Sequence, residues 1–98
     1  NPLHPAVLQL IQISLQAAHR SKKPVSICGE IAGDPRFAPL LIGLGVRELS
    51  MTPQNLPRVK QRIRALKTGS ATRRAMAILD QTDEDQVQRL LDDFNEEI

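Results

Sequence analysis

The chain has 98 residues with two Phe and neither Trp nor Tyr, so it lacks the aromatic platform on which single-stranded nucleic acid stacks. One Cys and two His exclude an internal disulfide and a Cys-based zinc cage, and no apolar run approaches the roughly 20 residues that span a bilayer. The net charge of +2 conceals a split: residues 58–74 carry seven bases and no acid, and residues 80–97 carry eight acids and one base, Arg89. Such a split predicts neighbouring helices that screen each other, not a nucleic-acid surface. With no signal peptide in view, a reducing cytoplasm is the expected setting.

Pro5 suits the first turn of a helix, where its missing N–H would be unpaired in any case. Val7, Leu8, Ile11, Leu15 and Ala18 continue as a helical stripe of about four turns. Ser21-Lys22-Lys23-Pro24 stops it. Val25-Ser26-Ile27-Cys28, held between Pro24 and Gly29, reads as a buried strand. Gly29 and Gly33 make the next segment a loop, after which Asp34 and Pro35 are expected to cap and begin a short buried helix running to Leu44. Gly43 and Gly45 end that helix, and Val46 to Met51 is a second candidate strand.

Thr52 to Asn55 forms a turn, and Leu56, Val59, Ile63 and Leu66 recur at helical spacing with basic residues on the other faces. Thr68-Gly69 is expected to end this helix and Ser70 to cap the next, which carries Ala75, Ile78 and Leu79. Thr82 with Asp85 three residues on resembles a capping box. Val87, Leu90, Leu91, Phe94 and Ile98 supply the last stripe.

Two strands separated by a helical crossover predict a parallel βαβ unit. Two parallel strands cannot complete a sheet, because both faces and both edges need cover. The fold class expected is therefore α/β, as the end of a larger fold. A (β/α)₈ barrel needs about 250 residues, so this chain could hold only its last part.

Ligands gather at the carboxyl ends of strands in parallel α/β folds, which makes Cys28 a candidate catalytic residue. A buried Cys acting as a small hydrophobe is the alternative. Glu30 and Asp34 are either a carboxylate pair or, more simply, a loop acid and a cap. His4 and His19 read as helix-terminal residues, and nothing in the spacing sets either beside Cys28 as a base. Ser50 to Asn55 precedes a helix N-terminus, which attracts anions unless it is an ordinary capped turn.

His4-Pro5-Ala6-Val7-Leu8, Ala17-Ala18-His19, Cys28-Gly29-Glu30-Ile31-Ala32-Gly33-Asp34, Leu40-Leu41-Ile42-Gly43-Leu44-Gly45, Glu48-Leu49-Ser50-Met51 and Leu56-Pro57-Arg58-Val59-Lys60 occur in this order. Together they resemble the carboxyl-terminal end of the phosphoenolpyruvate–protein phosphotransferase family, which opens the bacterial sugar phosphotransferase system. The run Lys23 to Cys28 is nearer to the family's nitrogen-related branch. The resemblance covers residues 1–66, and residues 67–98 match loosely, as a helical tail.

The resemblance implies a (β/α)₈ TIM barrel that binds phosphoenolpyruvate and Mg²⁺ and dimerises. Residues 25–28 and 46–51 would be its seventh and eighth strands, residues 1–66 the end of the barrel and 67–98 a carboxyl-terminal helical tail. A histidine on a separate mobile domain takes the phosphoryl group, and the enol left behind is protonated to pyruvate. The family's proton donor is the Cys of the Cys-Gly-Glu run, here Cys28. The implied partners are phosphoenolpyruvate and pyruvate, a phosphocarrier protein and a second copy, with no nucleic acid or membrane.

No residue here corresponds to the family's phosphorylated histidine, its phosphate-clamping arginines, its Mg²⁺ carboxylates or its substrate-facing Asn, so this chain alone is expected to transfer nothing. Two positions depart from the family pattern: Thr52-Pro53 follows Ser50-Met51 where a Ser is common, and Arg47 stands where an acid is common. Two other readings compete. One is a non-catalytic dimerisation or interaction module derived from that barrel. The other is a related phosphoenolpyruvate-using enzyme such as pyruvate phosphate dikinase or phosphoenolpyruvate synthase, whose ends share Cys-Gly but continue differently.

Overall fold

A computed structural model describes residues 3–28 and 30–97, with the side chains of Cys28, Glu30 and Thr68 outside that description. Helix α1 spans Pro5–Arg20 and starts where the sequence suggests, with Pro5 in its first turn and His4 as its cap. His4 Nδ1 accepts from the Ala6 N–H at 3.0 Å. The helix closes through Lys22, whose φ of 55° lets the Lys23 N–H reach back to the Ala18 carbonyl at 2.8 Å. Strand β1 follows at Ser26–Cys28 and β2 at Glu48–Ser50, both shorter than their sequence spans. They pair in parallel, with Ser26 opposite Glu48, Ile27 opposite Leu49 and Cys28 opposite Ser50.

Between the strands lie α2 (Glu30–Gly33) and α3 (Ala38–Gly43). The segment expected to be a glycine loop is thus a helical turn. The capping expectation for Asp34 also fails: its carboxylate bonds the Arg36 N–H at 2.9 Å and shapes the turn before α3, which Phe37 precedes and Pro39 opens. Gly45 ends α3 as predicted. Its φ of +105° allows the Val46 N–H to reach the Leu41 carbonyl and the Gly45 N–H to reach Ile42, both at 3.0 Å.

Three helices complete the chain: α4 (Leu56–Arg64), α5 (Thr68–Leu79) and α6 (Glu84–Glu96). Thr68 and Gly69 begin α5 and do not end α4, and Ser70 lies within α5. The Ala71 N–H already bonds the Lys67 carbonyl at 2.9 Å, and Gly69 sits in a first turn where few backbone bonds are at stake. The cap of α6 is Asp83, one residue past Thr82, with its carboxylate on the Asp85 N–H at 3.0 Å.

The core forms where α3, α5 and α6 meet. Leu40, Leu41, Ala71, Ala75, Val87 and Leu91 are all essentially inaccessible, and each large one is worth about 1.5–3 kcal/mol of burial. Gly43 sets the spacing: a Cβ there would lie 2.4 Å from the Ala71 carbonyl oxygen and 2.8 Å from the Ala75 Cβ. The charge split serves the same helices, with Arg74 of α5 paired to Glu97 just beyond α6.

Helix α1 is attached more lightly. Leu8 is buried, and the Gln9 side chain donates to the Leu79 carbonyl at 2.8 Å. Leu10 and Ile13 stay 64% and 57% exposed. Among the described residues the sheet has two strands, and no helix is long and apolar enough to cross a membrane.

Candidate functional site at the carboxyl edge of the strands

The parallel register brings the last residue of β1, Cys28, level with the last residue of β2, Ser50. The two segments that follow therefore leave the sheet side by side. They touch at Gly33, where an added Cβ would stand 2.7 Å from Asn55 Nδ2 and 3.4 Å from the Met51 Cβ. Asn is a strong helix cap, yet Asn55, which precedes α4, makes no side-chain cap. Its Nδ2 donates instead to Thr52 Oγ1 at 3.2 Å, facing the α2 turn.

Beyond Gly33 the chain is pinned at Arg36. The Asp34 carboxylate accepts the Arg36 N–H and the Nε–Nη2 edge of its guanidinium, with Nη2 to Oδ2 at 2.7 Å. The side-chain hydrogen bond from Arg36 is the main cause holding the Asp34 carboxyl below its ordinary value, against a partial desolvation that opposes it. The guanidinium also lies over the Phe37 ring, 5.6 Å from its centroid. The Arg36 carbonyl accepts from Asn95 Nδ2 of α6 at 3.0 Å.

The residues singled out in the sequence distribute unevenly over this edge. Cys28 ends β1 and Glu30 opens α2, while their side chains lie outside the described residues. Asp34 is committed to Arg36, and the candidate pairing with Glu30 lies outside the described residues. His4 is occupied as a cap. His19 lies at the opposite end of the strands, beside Lys23, Val25 and Glu48. It lines a groove of about 650 Å³ with Arg20 and Arg47.

At the start of α4 the Leu56 N–H bonds Pro53 and Pro57 has none, so the turn is closer to an ordinary one than to an anion cradle. Among the described residues no three His, Cys, Asp or Glu side chains converge as metal ligands.

Asn55, Arg62 and Asn95 escaped the sequence reading. Asn55 reads there only as part of a turn, and Arg62 and Asn95 meet across 33 residues that no local pattern connects.

A parallel strand pair joined by a helical crossover places the chain in the α/β class. Residues 1–68 match the family described as the PEP-utilising enzyme, PEP-binding domain, and the chain belongs to that family. It is 56% identical over 63 residues to a phosphoenolpyruvate-protein phosphotransferase of Cupriavidus necator, covering 64% of this chain and 11% of that protein. It is 37% identical over 94 residues to the Haemophilus influenzae protein of the same name, covering 96% of this chain and 16% of the relative. A multiphosphoryl transfer protein of Escherichia coli (strain K12) is 36% identical over 97 residues, covering 99% of this chain and 12% of the relative. The chain thus spans between 11% and 16% of the length of these relatives.

Proposed function

We propose that this chain is the end of a phosphoenolpyruvate-binding (β/α)₈ barrel, its two strands the seventh and eighth. The barrel would belong to an enzyme that passes the phosphoryl group of phosphoenolpyruvate to a protein histidine. The observation that carries this reading is the family match over residues 1–68, which includes Cys28 at the carboxyl end of β1. Two free strand edges and the exposed Leu10 and Ile13 support a fold completed by further strands and helices of a longer polypeptide.

In the proposed reaction the bond between phosphorus and the enol oxygen breaks and the phosphoryl group moves to a histidine nitrogen. The enolate left behind takes a proton on its terminal carbon while its oxygen becomes the carbonyl of pyruvate. Cys28 gives that proton and is reprotonated from solvent. An ordinary thiol, with a pKa of about 8.5, is mostly protonated at neutrality and has a proton to give.

The histidine and the groups that clamp the phosphate lie outside these residues in this reading, so the chain alone is inactive. Mg²⁺ belongs to the same reading. Its ligands are assigned, by the family resemblance, to the remainder of the polypeptide, and none of the steps above runs through it. A phosphocarrier protein as next acceptor, self-association and a cytoplasmic setting complete the proposal.

A non-catalytic interaction module is the second reading, favoured by the exposed face of α1. Cys28→Ala in the full-length polypeptide separates the two. Pyruvate release is expected to fall by about 10²-fold or more, while phosphorylation of the histidine persists. Pyruvate release at the unaltered rate removes Cys28 from the chemistry, and an inert full-length protein favours the module.

A further inference from the structure

We propose that Asn95, on the last helix, is a positioning residue for the segment that follows Cys28. The tail thereby acts on the carboxyl edge of the strands. Asn95 is half-buried and uses both ends of its amide. Its Oδ1 accepts from Arg62 Nη2 at 2.7 Å, and its own carbonyl accepts from the same nitrogen at 2.8 Å. Its Nδ2 donates to the Arg36 carbonyl and to the Leu91 carbonyl, each at 3.0 Å. Arg62 belongs to α4, which follows β2, and Arg36 belongs to the turn that follows α2. One short side chain thus ties together the segments that leave both strands.

The tie reaches α2, the element that follows β1, through closely packed residues. Arg36 is held at its N–H and guanidinium by Asp34 and at its carbonyl by Asn95. Phe37 beside it is buried. Ala32 is inaccessible, and Gly33 abuts Asn55 and Met51, so α2 has little room to shift on its own. Closely packed groups of this kind move together or not at all. An Asn is needed for the bridge because it offers a donor and an acceptor at the same reach. An Asp in its place keeps the side-chain bond from Arg62 but cannot donate to Arg36, and a Leu keeps neither side-chain bond, leaving Arg62 only the main-chain carbonyl.

The test compares Asn95→Asp, Asn95→Leu and Asn95→Gln in the full-length polypeptide. Amide exchange is followed over residues 31–37, and alkylation by iodoacetamide is followed at the Cys28 peptide. Asn95→Asp is expected to speed exchange in that segment about threefold or more and to change the Cys28 alkylation rate, with the overall unfolding midpoint nearly kept. Asn95→Leu gives the same local changes with a lower midpoint. Asn95→Gln, which restores a donor on a longer arm, recovers part of the protection.

One further arm rests on the proposed phosphotransferase reading: kcat for pyruvate release falls about tenfold in Asn95→Asp while the KM for phosphoenolpyruvate holds. Local loosening with kcat unchanged leaves the positioning role standing and counts against Cys28 as proton donor. A lowered midpoint with exchange at 31–37 and Cys28 alkylation both unchanged would mean that Asn95 only stabilises the tail, and the proposal fails.

Discussion

The half of the molecule built from α3, α5 and α6 and the half built from α1 and the strands treat their apolar residues differently. In the first, Leu41, Ala71, Ala75 and Leu91 are sealed, and Gly43 brings two helices into backbone contact. In the second, α1 commits Leu8 to the core but leaves Leu10 and Ile13 in solvent, and the strand pair has an open edge on either side. Apolar residues at helical spacing in the sequence are therefore sealed in one half and left in solvent in the other. The finished half joins α3 to the tail helices α5 and α6, and the candidate chemistry sits on the unfinished half, where parallel strands call for further partners.

The sharpest way to break this contrast is a matched pair of truncations. Leu41→Ala is expected to cost about 3 kcal/mol in denaturant unfolding, since it empties a site at zero exposure. Leu10→Ala, at 64% exposure, is expected to cost less than about 0.5 kcal/mol in the chain as described. Similar losses for the two would erase the distinction between the halves.

Gly43→Ala probes the sealed half from the opposite direction. Helix propensity alone would favour Ala by about 1 kcal/mol. The Ala71 carbonyl at 2.4 Å is backbone and cannot swing aside, so a net loss of about 2 kcal/mol is expected. A gain in the unfolding midpoint would mean that α3 and α5 separate freely.

The smallest effect expected is at the turn between α2 and α3. Hydrogen bonding from Arg36 lowers the Asp34 pKa in the folded chain, so this carboxylate adds stability above its ordinary unfolded pKa of about 4. That contribution disappears as the pH falls through the lowered folded value. Because the pair faces solvent, the gain is small and is screened by salt. Asp34→Asn should unfold slightly more easily than the parent at neutral pH, and the two curves should converge in strong acid. A constant offset across the whole range would assign the difference to something other than ionisation.

Much of this architecture is legible in the sequence. The Pro5 start, the stop after Arg20, the left-handed Gly45 and the parallel pairing of Ser26–Cys28 with Glu48–Ser50 follow from local signals and from the crossover between the strands. The misplaced boundaries share a cause. Asp34, Thr68-Gly69 and Thr82 all carry residues that favour caps or breaks, but packing decided otherwise. Phe37 and Pro39 fix the start of α3, the buried Ala71 and Ala75 carry α5 back to Thr68, and Asp83 takes the cap of α6. In the site, Cys28 and its place at a strand end are visible in one run of residues. The Asn55 contact with Gly33 and the Arg62–Asn95–Arg36 bridge are not, because they join segments far apart in the chain through side chains whose types suit any solvent-facing turn.

The most direct test of the central proposal, that the edge carrying Cys28 belongs to a sheet finished by the rest of a longer polypeptide, is amide exchange measured in residues 1–98 alone and in the full-length polypeptide. The account predicts strong protection of α5 and α6 in both, with β1, β2 and the Leu10–Ile13 face of α1 gaining protection only in the full-length protein. Equal protection of β1 and β2 in the two would contradict it and leave a self-sufficient two-stranded unit in place of a barrel's last turn.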